Sequence, residues 1–150
     1  MKNLKNEKGS VVTAAVIVLL VVLLLSGAMY MVGGSYYRSS INNYSKRQAY
    51  LYAKGECSAL ANYLVFYGEE SSNPYYVKVV GDSITLKNIE IKKKNSTKKI
   101  DKIQSSNGKI KRTADDQMDY TVTVTVGGQS STVTLSCKKI NGDWQLGSYS

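Results

Sequence analysis

The chain has 150 residues, with 20 Lys+Arg against 11 Asp+Glu, no histidine and two cysteines. That length holds one domain with an appendage. The lack of histidine excludes a Ser-His-Asp triad, a histidine general base and a histidine metal site, and cysteines as far apart as Cys57 and Cys137 make no CxxC metal or redox motif, so no metal and no cofactor is expected.

The amino terminus carries Lys2, Lys5 and Lys8, then Gly9-Ser10, and no charged side chain follows until Arg38. Val11 to Leu25 contains twelve Val, Ile or Leu residues. At roughly −0.3 to −0.6 kcal/mol each, they favour a bilayer by about 4 to 7 kcal/mol. The apolar character continues through Ala28 to Val32, long enough for a membrane-spanning helix. The lysines place the amino terminus in the cytoplasm and the remainder outside. Three arrangements share this pattern: an uncleaved signal anchor, a secretory signal removed at Ser26-Gly27-Ala28, and a leader cut at the cytoplasmic face between Gly9 and Ser10, which leaves the apolar helix on the mature protein.

Residues 35–67 continue at helical spacing. Tyr37, Ile41 and Tyr44 recur at steps of three and four, as do Tyr50, Ala53, Cys57, Leu60 and Leu64. Only Gly27, Gly33 and Gly34 interrupt the path from the apolar segment, each costing about 1 kcal/mol relative to alanine. The Gly33-Gly34 pair reads equally as a mild bend or as a segment able to melt on packing. The predicted division is therefore a leader at 1–9, a transmembrane half-helix at 10–34, an amphipathic half-helix at 35–67 and an antiparallel β domain at 68–150, giving an α+β fold in which the helix stripe packs on a small sheet.

The loop "GEESSNP" opens the β part. Alternating runs then predict hairpins about Gly81-Asp82, about Asn107-Gly108, between Tyr120–Val126 and Ser131–Cys137, and about Asn141-Gly142, for five to seven strands. Cys57 falls on the helix stripe and Cys137 on a strand that covers it. The pair reads as a disulfide closing a long loop, worth ~4 kcal/mol in the chain-entropy model, or as two buried thiols, with the disulfide favoured. Residues 87–112 hold ten Lys+Arg, among them Lys92, Lys93, Lys94, Lys98, Lys99, Lys109, Lys111 and Arg112, against Glu90 and Asp101. This stretch reads either as a solvated face or as a sequence-blind contact to DNA or an anionic surface polymer. Asp115, Asp116 and Asp119 lack an EF-hand pattern, and Asn95-Ser96-Thr97 is a glycosylation sequon by pattern alone.

A short basic leader, a glycine, an apolar helix ("EKGSVVTAAVIVLLVVLLLSG"), an amphipathic continuation ("RQAYLYAKGECSALANYLV") and a small sheet together resemble the type IV pilin superfamily, most closely its PilX-type minor pilins. The resemblance covers residues 1 to about 65. It implies cleavage between Gly9 and Ser10 by a prepilin peptidase, N-methylation of Ser10, passage through the cytoplasmic membrane, and assembly with other pilins through the Ser10–Tyr67 helix at the tip or initiating complex of a pilus or pseudopilus. It also implies a structural role without catalysis. Major pilins carry glutamate at the fifth mature residue, where this chain has Ala14. From other classes, a single-pass surface binding protein retaining Met1, or a secreted adhesin beginning at Met29, fits the same chain.

Overall fold

The structure is a computed structural model that describes residues 4–70, 72–90 and 103–150, with side chains from Val11 onward. One helix, α1 (Leu4–Tyr67), is followed by five strands: β1 (Ser83–Leu86), β2 (Ile103–Ala114), β3 (Gln117–Val126), β4 (Gln129–Ile140) and β5 (Asp143–Tyr149). The fold class is α+β, as expected. The chain divides into two compact units, Met1–Ile41 and Asn42–Ser150, with the boundary inside α1. It falls seven residues beyond the anticipated 34/35 junction.

In the second unit the five strands form an antiparallel meander in the order β1-β2-β3-β4-β5. Strict alternation makes this sheet two-faced. Met118, Tyr120, Val122, Val124 and Val126 of β3 are buried, while Thr121, Thr123 and Thr125 point the other way. Across the outer face, Thr121 pairs with Thr134 at 3.1 Å, Thr123 with Thr132 at 2.8 Å and Thr125 with Ser130 at 2.8 Å. The inner face packs on the α1 residues Ala49, Ala53, Cys57, Leu60, Ala61 and Leu64, with Ile110, Val133, Leu135, Cys137 and Trp144 completing the core.

The stripe that packs differs from the expected one at its start. Tyr37, Ile41, Tyr44 and Tyr50 are exposed, and burial begins at Ser45 and Ala49. Small side chains let a helix approach a pleated surface closely, and a tyrosine at those positions would hold it off. Ser45 marks how close the contact is: a Cβ on Gly127 would lie 2.8 Å from its hydroxyl oxygen.

Two of the four expected hairpins form. Gly127-Gly128 (φ 56° and 77°) joins β3 to β4, and Asn141-Gly142 (φ 54° and 95°) joins β4 to β5. Two positive-φ residues are the signature of the turn that matches strand twist. The other two do not form. β2 runs straight through Asn107-Gly108, and it turns instead at Asp115-Asp116. Gly108 is an inward-facing position where a Cβ would come within 2.9 Å of the Ile89 side chain, so the glycine makes room rather than a turn. The run Tyr75–Val80 forms no strand. Arg112, buried in β2, donates to the carbonyls of Val77 (3.3 Å) and Lys78 (2.9 Å), which a partner strand would otherwise have satisfied.

Candidate functional site

The amino-terminal unit is one helical segment. Its backbone is helical across Gly9 and Ser10 and through Gly27, Gly33 and Gly34. From Val11 to Ile41 every side chain is exposed, and among the described residues none covers this stretch. Apolar residues on all sides of a helix need an apolar medium on all sides. By length and composition this helix can cross a membrane. Near the carboxyl-terminal end of the apolar stretch stand Tyr30, Tyr36 and Tyr37, followed by Arg38, the residue types enriched where a span meets water. A Cβ on Gly27, Gly33 or Gly34 would meet nothing within 4 Å, so intramolecular packing gives no reason for glycine there. Ala14 lies in the exposed apolar stretch.

The expected disulfide is not present: Cys57 and Cys137 are free, buried thiols. Cys57 donates its hydrogen to the Tyr120 carbonyl oxygen at 2.8 Å. Burial pushes the Cys57 thiol up to about 11, against a smaller opposing effect of the Leu135 backbone. Burial, with the neighbouring Cys57 and Asp119, pushes Cys137 up to about 12. Burial first, then the two sulfurs, also raises the Tyr120 phenol. A high pKa keeps a thiol protonated and unreactive, so the pair acts as small apolar filling between helix and sheet.

The basic stretch separates into parts with different work. Lys92, Lys93, Lys94, Lys98 and Lys99, with the sequon at Asn95, lie outside the described residues. Lys109 and Lys111 are exposed on β2, opposite Thr121 and Asp119 in register, on the face turned away from the helix. Arg112 does not belong with them. Strand alternation turns it inward, and it is only 7% exposed. Besides Val77 and Lys78, its guanidinium donates to the Tyr76 hydroxyl (2.6 Å) and to the carbonyls of Ala114 (3.3 Å) and Asp115 (2.8 Å). It is a structural clamp, and the anion-binding reading is corrected for this residue. The signal was available in the sequence, since Ile110 and Arg112 share one parity and Lys109 and Lys111 the other.

At the far end of α1, Gly68 (φ 58°) closes the helix through its N–H to the Leu64 carbonyl at 2.8 Å. Glu69 then receives Lys139 Nζ at 2.6 Å and Trp144 Nε1 at 3.2 Å, tying the helix end to β4 and β5. The hydrogen bond from Lys139 holds the Glu69 carboxyl below the ordinary glutamate range. Among the described residues, no three metal-binding side chains gather.

No protein-family model matches this chain, and comparisons with curated proteins and with solved structures find no significant match.

Proposed function

We propose that this chain is a structural subunit of a type IV pilus-like filament, of the minor-pilin kind, made as a membrane-inserted precursor and cut between Gly9 and Ser10 by a prepilin peptidase. One observation carries the reading. A single helical element, Leu4–Tyr67, supplies both an apolar span exposed on every side and the stripe on which a small antiparallel sheet is built. An anchor alone needs only the first of these. A subunit that leaves the bilayer to pack among the helices of its neighbours needs both, because its apolar half exchanges lipid for protein while the sheet domain stays folded outside.

In this reading the amino terminus begins in the cytoplasm, Ser10 becomes the methylated terminus, and the sheet domain ends at the cell surface. The role is non-catalytic. Ala14 offers no carboxylate to a neighbour's terminal amine, so the subunit does not propagate a homopolymer and sits at a tip or initiating complex beside other pilins. Quantitative mass spectrometry of sheared filaments tests this. The chain should be present at a small fraction of the main subunit, and its deletion should leave fewer or altered filaments. Dominance of this chain in the filament overturns the minor-pilin assignment, and its absence from filaments overturns assembly.

A second reading, an uncleaved single-pass surface protein that binds DNA or an anionic polymer, draws support from exposed Lys109 and Lys111 on the hydroxyl-lined sheet face. It requires salt-sensitive, sequence-blind retention of duplex DNA. Such retention should be lost on changing Lys92, Lys93, Lys94, Lys98 and Lys99 to glutamine.

A further inference from the structure

A cleft of about 550 Å³ opens in the second unit between α1 and the segment around β1, with Glu56, Leu60, Tyr63, Leu86, Lys87 and Ile89 among its lining. The proposed assembly does not use it, and its floor borders the core, to which Leu60 belongs and against which Tyr75, Leu86 and Ile89 pack. Its volume is within the usual range for small-ligand sites, and polar and apolar groups share its lining about equally. The wall is built from Leu60 on the helix side and Leu86 and Ile89 on the strand side, with the Tyr63 and Tyr75 rings set edge to face at 5.1 Å.

Glu56 is the polar group that calls for a partner. It lies on the helix one residue before buried Cys57 and is itself half-buried. Desolvation raises its carboxyl, and no hydrogen bond or ion pair to it is found among the described residues. A carboxylate taken partly out of water without a partner costs free energy that an incoming cation would return. Lys87 on the rim is exposed, so its charge is largely spent on water.

We infer that this cleft binds a primary alkylammonium, its nitrogen at Glu56 and its alkyl chain along Leu60, Leu86 and Ile89. The chemistry discriminates among cations. A calcium or magnesium ion needs a full shell of oxygen ligands. Beside Glu56 the cleft offers the Thr85 hydroxyl and Glu90, which is already engaged in an interaction of its own, while Leu60, Leu86 and Ile89 offer none. A quaternary ammonium has no N–H to give the carboxylate, whereas a primary one makes charge-assisted hydrogen bonds to it. The same group arrives from two sources, a free aliphatic amine or the lysine side chain of another protein. The site does not depend on the filament reading.

The test uses the full chain in non-ionic detergent micelles, titrated calorimetrically with n-butylammonium, with butan-1-ol as its neutral isostere, and with calcium. Saturable binding of butylammonium in the millimolar range is expected, with butan-1-ol at least tenfold weaker and calcium unable to displace the amine. Glu56→Gln should weaken butylammonium binding at least tenfold. Ala59→Trp, which fills the cleft from an exposed helix position and leaves the carboxylate in place, should do the same. Titration with cadaverine and with a Gly-Gly-Lys-Gly-Gly peptide separates the sources: tighter diamine binding assigns a free amine, and peptide binding of equal or greater strength assigns a lysine side chain. The proposal is overturned by equal binding of butan-1-ol, by displacement with calcium, by unchanged affinity in a folded Glu56→Gln protein, or by no saturable binding in the parent. Should Glu56→Gln fail to fold, the comparison of amine with alcohol on the parent decides.

Discussion

Along α1, Val11–Leu25 presents twelve Val, Ile and Leu side chains around the whole helix, all exposed, whereas within Asn42–Tyr67 the buried positions are Ser45, Ala49, Ala53, Cys57, Leu60, Ala61 and Leu64. The first stretch has no polar face and so cannot choose a partner by orientation; only a medium that is apolar in every direction satisfies it. The second has a narrow stripe at three- and four-residue steps, small at its start and larger toward its end, which specifies one side and one depth of approach. The contrast teaches that hydrophobicity fixes where a helix goes, while its angular distribution and side-chain size fix what it packs against.

If that contrast holds, equal truncations in the two regions should have unequal consequences. Leu64→Ala, at a fully buried position, should lower the stability of the sheet domain by about 2–5 kcal/mol. Leu23→Ala, at an exposed position, should leave that domain's unfolding unchanged. Thermal unfolding of the two full-length variants in micelles, followed by the emission of the single tryptophan, Trp144, compares them. Equal losses would break the comparison.

Thiol chemistry probes the same stripe from within. With Cys57 near 11 and Cys137 near 12, the thiolate fraction at neutral pH falls at least about 100-fold below that of a free cysteine. Both should therefore resist iodoacetamide in the folded protein and take two adducts by intact mass once denatured. A cysteine placed on the opposite side of the helix by Leu51→Cys should be alkylated at the ordinary rate. Rapid alkylation of native Cys57 would mean that the sheet does not cover the stripe.

The remaining contrasts are smaller. Arg112→Met should cost about 1–3 kcal/mol by orphaning the Val77 and Lys78 carbonyls, while Lys111→Met, one residue away and exposed, should cost less than about 0.5 kcal/mol. Proteolysis within Tyr75–Val80 should accelerate only in the first. The Glu69–Lys139 pair at the helix end gives a pH signature. Because the Glu69 carboxyl titrates below its unfolded value, the stabilisation is fully present above the ordinary glutamate pKa of about 4.3 and is lost as pH falls through the lowered one. The pair is partly exposed, so the difference between parent and Glu69→Gln should be about 0.5 kcal/mol at neutral pH and vanish in acid.

The parts of this fold legible from sequence were those with unambiguous periodicity: the all-round apolar helix, the Thr/Val alternation of β3 and β4, and the Gly-Gly and Asn-Gly turns with positive φ. What escaped was decided by contacts distant in sequence. Asn107-Gly108 looks like a turn until Ile89 arrives beside Gly108. Tyr75–Val80 alternates like a strand, yet Arg112 takes its carbonyls from 34 and 35 residues away. Tyr44 and Tyr50 recur at helical steps from other apolar residues. Yet at about 3.6 residues per turn Tyr44 lies on the side opposite the stripe of Ser45, Ala49, Ala53 and Cys57, and Tyr50 lies at its edge; both are exposed. Glu56 carries no local signal at all, since its setting depends on Leu86 and Ile89 across the cleft.

The most direct test of the precursor reading is the amino-terminal residue of the product when the full chain is coexpressed with a prepilin peptidase. A product beginning at Ser10 is expected, with Gly9→Val blocking the cut and Gly9→Ala slowing it. A product that still begins at Met1, or one that begins at Met29, would contradict it.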